Sequence, residues 1–300
     1  MRVISVLPSA TEIVCALGHR SELVGRSSEC DFPVVVQALP VVMRPRTLDS
    51  DRPAREIDAR VREARAREES LYQLDLELLR NLRPDLLLTQ DLCGVCSVTQ
   101  EEVVSACEIA GVHPRVLSLS PTTLSEVWET VPVIGHALGD GPRGSELAAS
   151  LRARTEPRQP TGRSVAVLEW LDPPILAGLW TPDLILAAGG EPVGPRSSER
   201  GERTTWDAIA RAAPDLVVVS PCSFSVPRTF RELENRSLLA HLLGVRPRLG
   251  TFVADEAYFS RPGPRLAAGA ELIATLLEGG TPYGPMPVAP ISATLVGATP

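Results

Sequence analysis

Short apolar runs alternate along the chain with stretches of helical period. The strand-like runs are 2–7, 23–26, 85–89, 115–119, 164–170, 215–220 and 250–254. Amphipathic helical patterns occupy 9–18, 71–81, 97–111, 182–188, 206–213, 229–243 and 264–278. The first and third of these helices begin with Ser9-x-x-Glu12 and Ser97-x-x-Gln100, which have the form of capping boxes. Because a helix after each strand allows the next strand to run in the same direction, this order predicts parallel sheets in an α/β fold.

One long helical pattern divides this alternation into two halves. It begins at the Thr123-x-x-Glu126 cap and reaches about residue 154, with interruptions at Pro132 and at 139–142. We therefore expect an N-terminal α/β lobe over 1–121, a connecting backbone helix over 122–157 and a C-terminal α/β lobe over 158–279. Residues 50–70, rich in Arg and Glu, are expected to be a solvated linking helix or loop, and 280–300 a flexible tail without periodicity.

An internal echo relates the two halves. RPDLLLTQDLCGVC at 83–96 matches APDLVVVSPCSF at 213–224: Pro-Asp, an apolar run, polar turn residues and then cysteine. Ligands of open parallel sheets bind beyond the carboxyl ends of the strands, where loop amides and helix N-termini converge. The candidate ligand-site residues that follow or end strands are Pro8, Ser9, Glu12, Cys30, Gln90, Cys93, Cys96, Glu169, Trp170 and Cys222.

Composition excludes several classes of function. The net charge of −7 argues against a nucleic-acid partner, because phosphate binding needs a basic surface. Every basic residue is Arg, which excludes a lysine Schiff base or a P-loop lysine. The N-terminus lacks the charged, apolar and small-residue regions of a secretory signal, and no apolar run reaches the roughly 18 residues of a membrane span. We therefore expect a cytoplasmic protein without membrane insertion.

Six cysteines in a reducing compartment suggest metal binding or catalysis more readily than disulfides. Cys15 and Cys107 lie in helical patterns and are expected to fill cores. The other four follow predicted strands in polar, turn-rich surroundings, and we hypothesise that they form a tetrathiolate metal site: Cys30, Cys93, Cys96 and Cys222. Thiolates select zinc, Cu(I) or an iron–sulfur cluster such as [4Fe-4S]. A redox thiol pair without metal and four unligated cysteines stay open as alternatives.

Several motifs carry a family resemblance over about residues 2–279. LPSATEIVCALG, SLYQLDLELLRNLRPDLLLTQ, PDLVVVSP and YFSRPGPRLAAGAELIATLL resemble the helical-backbone, class III periplasmic substrate-binding proteins of the vitamin B12 and iron-siderophore type. Within that family, the PSATEI turn, Glu169-Trp170 and SRPGPRL are most similar to cobalamin-binding members. The resemblance implies two Rossmann-like lobes joined by one long rigid helix, with the ligand in the cleft between them. Family members that serve importers are exported, so the missing leader argues against an ABC permease partner.

Three further residues, besides Trp170, are candidate ligand contacts. The indoles of Trp170 and Trp180 suit the face of a large macrocycle, although packing under the Pro-Pro turn between them is an equal alternative. Tyr258 and Arg261 precede the last helix, and Arg261 suits a bidentate contact to an anionic group or a structural tie within its loop.

No catalytic motif is present in the sequence: we find no G-x-S-x-G elbow, phosphate-binding glycine loop or H-E-x-x-H. We therefore expect a cytoplasmic binding protein for cobalamin, a related corrinoid or another metal-containing small molecule. The alternative hypothesis is an enzyme or redox protein that holds an iron–sulfur or other metal cluster through the cleft cysteines.

Overall fold

The chain forms two α/β units, each built on a sheet whose central strands are parallel. The computed structural model describes residues 1–46, 51–67, 69–91, 98–281 and 288–291. Unit 1 comprises the described residues of 1–49, 59–121 and 125–151, and unit 2 comprises those of 50–58, 122–124 and 152–300. The prediction of a two-lobe α/β fold is confirmed.

Unit 1 contains six strands and most of six helices among its described residues. The strands are β1 (Val3–Ser5), β2 (Leu23–Ser27), β3 (Val41–Pro45), β4 (Tyr72–Leu74), β5 (Leu86–Thr89) and β6 (Arg115–Ser118). The helices are α1 (Pro8–Ala16), α2 (Ala54–Ala66), α3 (Leu76–Leu82), α4 (Gln100–Ala110), α5 (Leu124–Ala137) and α6 (Gly141–Arg154). The sheet order is β4-β3-β2-β1-β5-β6, with every neighbouring pair parallel except β3 and β4.

Unit 2 is assembled on the same plan with more antiparallel additions. Its strands are β7 (Ser164–Leu171), β8 (Pro174–Leu176), β9 (Glu191–Pro192), β10 (Glu202–Arg203), β11 (Leu216–Val219), β12 (Thr251–Ala254) and β13 (Val288–Pro290). Its remaining helices are α7 (Thr181–Ala187), α8 (Trp206–Ala212), α9 (Val226–Leu233), α10 (Arg236–Gly244) and α11 (Leu266–Leu277). The order is β10-β8-β7-β11-β12-β13, and β9 also pairs with β7. The central β7, β11 and β12 are parallel.

The apolar runs of the two echoing motifs are the buried centres of these sheets. Residues 86–88 of β5 are at most 1% exposed, and 216–219 of β11 are fully buried. A continuous apolar run indicates a strand covered on both faces, because alternation occurs only when one face meets water. In unit 1 the cover over one face includes Leu79 of α3 and Val103 of α4, which share a core with Leu87.

The connecting segment contains two helices where one was predicted. α5 ends at Ala137, Gly139 adopts a left-handed φ of +82°, and α6 starts at Gly141. A Cβ on Gly144 would lie 2.9 Å from the Cα of Pro132 and 3.2 Å from the Cα of Gly135. The two helices therefore approach each other at backbone contact distance, which only glycine allows.

Two other predicted helices also differ from the structure. Tyr72–Leu74, predicted to be helical, forms β4 because it pairs antiparallel with β3, and the Asp75 side chain then caps α3. The predicted helix over 229–243 is α9 followed by α10, because Asn235 interrupts it and accepts hydrogen bonds from the N–H groups of Ser237 and Leu238. Pairing and capping with nearby groups outweigh the apolar period in both places.

The helix starts and the tail differ as well. α1 begins at Pro8 after Leu7, which supplies no side-chain cap, so Ser9 does not form a capping box. The capping box of α4 is made by Thr99 and Glu102, two residues later than the expected Ser97 and Gln100. Within the predicted flexible tail, Val288–Pro290 forms β13 against β12, since Ile291 is buried in the unit 2 core.

The α5–α6 crossing gives a first prediction. Gly144→Ala adds a methyl group that meets backbone atoms of Pro132 and Gly135, so it should lower the free energy of unfolding by about 1–3 kcal/mol despite the better helix propensity of Ala. Urea unfolding measures the change. The matched control is Gly244→Ala at the end of α10, where a Cβ meets open space. Equal stability of both variants would contradict the close crossing.

The His19 ring gives a second prediction. Its Nδ1 lies 2.7 Å from Glu22 Oε1 and its Nε2 lies 3.3 Å from Asp140 Oδ2. These hydrogen bonds, that of Glu22 foremost, raise the pKa of His19 above its ordinary value. The unfolded chain titrates near pH 6.5, so the stabilisation is complete below that pH and is lost as pH rises through the higher folded pKa.

We therefore expect His19→Gln to destabilise the protein more at about pH 5.5 than at about pH 8.5. Urea unfolding of wild type and variant at both pH values measures the difference. His113→Gln, which removes an exposed imidazole elsewhere in unit 1, is the matched control variant. A His19→Gln penalty that is constant or grows with pH would refute the proton linkage.

Candidate functional site

The carboxyl ends of neighbouring parallel strands gather five predicted site residues at one edge of the unit 1 sheet. Pro8, Ser9 and Glu12 lie on α1, directly after β1. Cys30 follows β2, and Gln90 follows β5. Since β2, β1 and β5 are adjacent and parallel, the residues after them share this edge, which we call the unit 1 carboxyl edge.

The side chains at this edge differ in accessibility. Ser9 is 2% exposed and Glu12 is 4% exposed, whereas Pro8 and Gln90 are half-buried. A ligand at this edge would therefore reach the side chains of Pro8 and Gln90 before those of Ser9 and Glu12. All four stay predicted contacts.

Cys30 is held inside unit 1 by polar groups. Its side chain is 1% exposed, its Sγ lies 3.1 Å from the Thr11 hydroxyl, and its thiol donates to the Ser5 carbonyl at 3.6 Å. Arg26, which the sequence reasoning missed, organises the loop that carries Cys30. Its guanidinium donates to the carbonyl oxygens of Ser27 at 2.9 Å and Gln37 at 2.8 Å. An arginine at the end of an apolar strand was the signal available for this role.

The unit 2 sheet gathers the second group of predicted residues in the same way. Glu169 and Trp170 lie at the end of β7, Cys222 follows β11, and Tyr258 and Arg261 follow β12. β7, β11 and β12 are adjacent and parallel, so these residues share the unit 2 carboxyl edge. The N–H of Cys222 donates to the Glu169 carbonyl at 3.0 Å and joins two of the strand ends directly.

An aromatic pair stands at this edge. The Trp170 ring is half-buried, and its centroid lies 5.2 Å from that of Phe224, with 51° between the planes. The Trp170 Nε1 is shielded from solvent and has no hydrogen-bond partner among the described residues. A buried N–H without an acceptor costs stability, about 1–3 kcal/mol. Phe224 was missed, although it ends the second echo motif.

Other predicted contacts are engaged within unit 2. The Trp180 side chain is 4% exposed, and its Nε1 donates to the Phe259 carbonyl at 2.6 Å. Arg261 Nε donates to Glu256 Oε1 at 2.5 Å, with both side chains largely buried. Trp180 therefore packs inside unit 2 and Arg261 ties its own loop, which are the structural roles that the sequence analysis left open for them. Their role as ligand contacts stays a prediction.

Tyr258 and Glu169 each have one close neighbour in unit 2. The Arg265 guanidinium lies 5.8 Å from the centroid of the half-buried Tyr258 ring. The Glu169 carboxylate lies directly against Gly201, where a Cβ would overlap its oxygen. Gly201 is therefore needed for the Glu169 side chain to occupy this position.

The structure describes two of the four cysteines in the predicted tetrathiolate site. Cys93 and Cys96 lie outside the described residues, Cys30 belongs to unit 1 and Cys222 to unit 2. The part of the chain that is described contains no group of three or more His, Cys, Asp or Glu side chains placed to hold a metal ion. The four-cysteine site stays a prediction.

The other two cysteines have unreactive thiols. Burial raises the pKa of Cys15 to about 11 and also raises the pKa of Cys107 above its ordinary value. Since the thiolate is the nucleophile and the metal ligand, neither side chain is suited to bind metal near neutral pH. Cys107 is 3% exposed within the unit 1 core.

Solved structures with the same fold include several metal-chelate-binding proteins. A periplasmic heme-binding protein of Pseudomonas aeruginosa is 21% identical, with a TM-score of 0.69 over 97% of this chain and 98% of that chain. The periplasmic vitamin B12-binding protein BtuF of Vibrio cholerae is 18% identical, with a TM-score of 0.64 over 92% and 96%. An ABC-type Fe3+-hydroxamate transport protein of Saccharomonospora viridis is 20% identical, with a TM-score of 0.63 over 92% of each chain.

These likenesses establish the fold of class III substrate-binding proteins over nearly the whole chain. No protein-family model matches the chain, and no curated protein matches it. Among the described residues, no helix combines the length and apolarity needed to cross a bilayer.

The structural neighbours correct one expectation. The prediction of a cytoplasmic location is wrong, because proteins of this fold that cover nearly all of the chain are periplasmic binding proteins. The prediction relied on the lack of a secretory signal pattern in the first residues of the given sequence, and that lack was not a sound basis for assigning a location.

The tetrathiolate hypothesis gives a third prediction. If the four thiolates share one metal, Cys93→Ser and Cys222→Ser should each abolish its retention, because losing one of four ligands opens the site. Elemental analysis of anaerobically purified protein measures iron and zinc per chain. Cys107→Ala, which changes a core thiol, is the control and should retain the metal. Equal metal content in all three variants would rule out the shared site.

Proposed function

We propose that this chain is an extracytoplasmic substrate-binding protein that captures a metal chelate for an ABC permease. The support is the fold, which is shared almost end to end with proteins described as binding heme, vitamin B12 or an Fe3+-hydroxamate. Two carboxyl edges with polar and aromatic side chains provide the binding surfaces such a role requires.

Within that class, we propose a ligand with a flat macrocycle, a corrinoid such as cobalamin first and heme second. The observation that carries this choice is the half-buried Trp170 indole, which packs against Phe224 at the unit 2 carboxyl edge. The partly exposed ring suits contact with an apolar macrocycle. A hydroxamate chelate, which presents oxygen-rich and saturated groups, would use the indole face less.

The remaining predicted contacts are part of this proposal. Pro8 and Gln90 are the accessible side chains of the unit 1 carboxyl edge, and Tyr258 is half-buried at the unit 2 carboxyl edge. Ser9, Glu12 and Glu169 lie beside them. The alternative of an iron–sulfur enzyme is favoured by no observation on the described residues.

Removal of the indole tests the ligand class. Trp170→Ala should weaken binding of cyanocobalamin or hemin about tenfold, because it removes the aromatic contact with the ligand ring. Binding of a ferric hydroxamate chelate should change little. Isothermal titration calorimetry with the three chelates measures the affinities.

The matched control is Trp206→Ala, since Trp206 stacks on His241 of α10 and not on the Trp170–Phe224 pair. This variant should bind like wild type. Wild-type protein that binds none of the three chelates defeats the proposed function. Tight binding of the hydroxamate alone, unaffected by Trp170→Ala, defeats the choice of a macrocycle and keeps the broader class.

A further inference from the structure

One buried arginine touches both the aromatic pair and a distant segment of the chain. Arg228, on α9, is 7% exposed. Its guanidinium carbon lies 4.1 Å from the centroid of the Phe224 ring, the ring that packs against Trp170. A cation over an aromatic face is attracted by the ring quadrupole, most strongly when water is excluded.

The same guanidinium is held by two acceptors. Its Nη1 donates to Glu232 Oε2 at 3.0 Å, and its Nη2 donates to the Arg52 carbonyl at 2.5 Å. Glu232 is buried as well, with 8% of its side chain exposed, and its Oε1 accepts the Ala54 N–H at 2.9 Å. Arg228 and Glu232 therefore bind the backbone of residues 52–54, which belong to unit 2 although they precede β4 in the chain.

Segment 51–58 has further attachments to unit 2 that do not involve the aromatic pair. Arg203 contacts both carboxylate oxygens of Asp58, at 2.7 and 3.2 Å. Arg231 pairs with Asp51 at 3.0 Å, with 60% and 78% of the side chains exposed. An exposed pair of this kind contributes little to stability, so the buried Arg228–Glu232 pair is the inner attachment of the segment.

The backbone around Phe224 needs such support. Ser223, directly before it, adopts a left-handed φ of +62°, and the Ser225 side chain directly after it caps α9. The turn between β11 and α9 therefore has a strained residue on one side of Phe224 and a helix start on the other. A guanidinium fixed over the ring restricts the positions that Phe224 can take, and through ring contact those of Trp170.

We infer that Arg228 is a positioning residue for the proposed ligand surface: it fixes Phe224, and thereby the Trp170 indole, in the orientation that the macrocycle contacts, while segment 51–58 holds Arg228 in place. This inference rests on the proposed function for its ligand and on contacts within unit 2 for its geometry. Arg228 touches the aromatic pair from within the unit and need not touch the ligand.

Arg228→Lys tests the inference. Lysine keeps the positive charge beside Glu232, but its compact ammonium cannot lie flat over Phe224 and reach both acceptors as the guanidinium fork does. The matched control is Arg231→Lys, the same substitution on the same helix at a residue that also binds segment 51–58 but is exposed. A double variant, Arg228→Gln with Glu232→Gln, removes both buried charges and serves if the single variant fails to fold.

Two measurements separate positioning from general stability. The first is the contribution of Trp170 to the near-ultraviolet circular dichroism, obtained by subtracting the spectrum of the same protein with Trp170→Phe. The second is the affinity for cyanocobalamin and hemin by calorimetry. We expect Arg228→Lys to reduce the Trp170 signal and to weaken about tenfold the binding of whichever of these two ligands wild type binds. Arg231→Lys should leave both the signal and the affinity unchanged.

Each outcome decides a separate point. Unchanged affinity in Arg228→Lys overturns the inference, whether or not the Trp170 signal changes, and leaves the proposed function intact. Weaker binding in Arg228→Lys and Arg231→Lys alike overturns it too, because the effect would then come from the segment as a whole. Wild-type protein that binds neither cyanocobalamin nor hemin removes the choice of a macrocycle instead, and an unchanged Trp170 signal in Arg228→Lys then overturns the inference.

Discussion

Complete burial of a few short parallel strands is the constraint on which both units depend. β5 and β11 are only four residues long, and every one of these residues is buried, so their backbone groups can be satisfied only by neighbouring strands. Parallel pairing then brings all carboxyl ends to one edge of each sheet. Since the connections that leave this edge are polar turns, the same pairing that buries the apolar runs also concentrates the chemically useful side chains.

Arginine side chains supply many of the long-range polar contacts within these units. A guanidinium fork can satisfy several acceptors at once, as Arg26 does with loop carbonyls and Arg154 does with both carboxylate oxygens of Glu271 at 2.8 and 2.9 Å. Mutual hydrogen bonding raises the pKa of Arg154 and lowers that of Glu271. A chain with no lysine can therefore order its loops by planar, multi-acceptor contacts that an ammonium group would not make.

The central strands and most helices could be predicted because their apolar runs and helical periods extend over enough residues to be recognised in the sequence. The β5 and β11 runs and the positions of Gln90 and Trp170 at strand ends follow directly from this pattern. The short antiparallel strands could not be predicted, since two or three residues such as Glu202–Arg203 acquire their structure only from the partner strand. The attachment of Arg228 to segment 51–58 could not be predicted for a related reason: the Arg52 carbonyl lies 176 residues from Arg228 in the sequence.

The last described strand has a consequence for how the protein behaves at high concentration. β13 covers the open side of β12, and its residue Pro290 has no N–H to offer to any further strand. Ile291 turns back into the core and donates its own N–H to the Thr251 carbonyl at 2.9 Å. An uncovered β12 would be a template for pairing between molecules, so this short proline-ended strand protects the sheet against edge-to-edge aggregation.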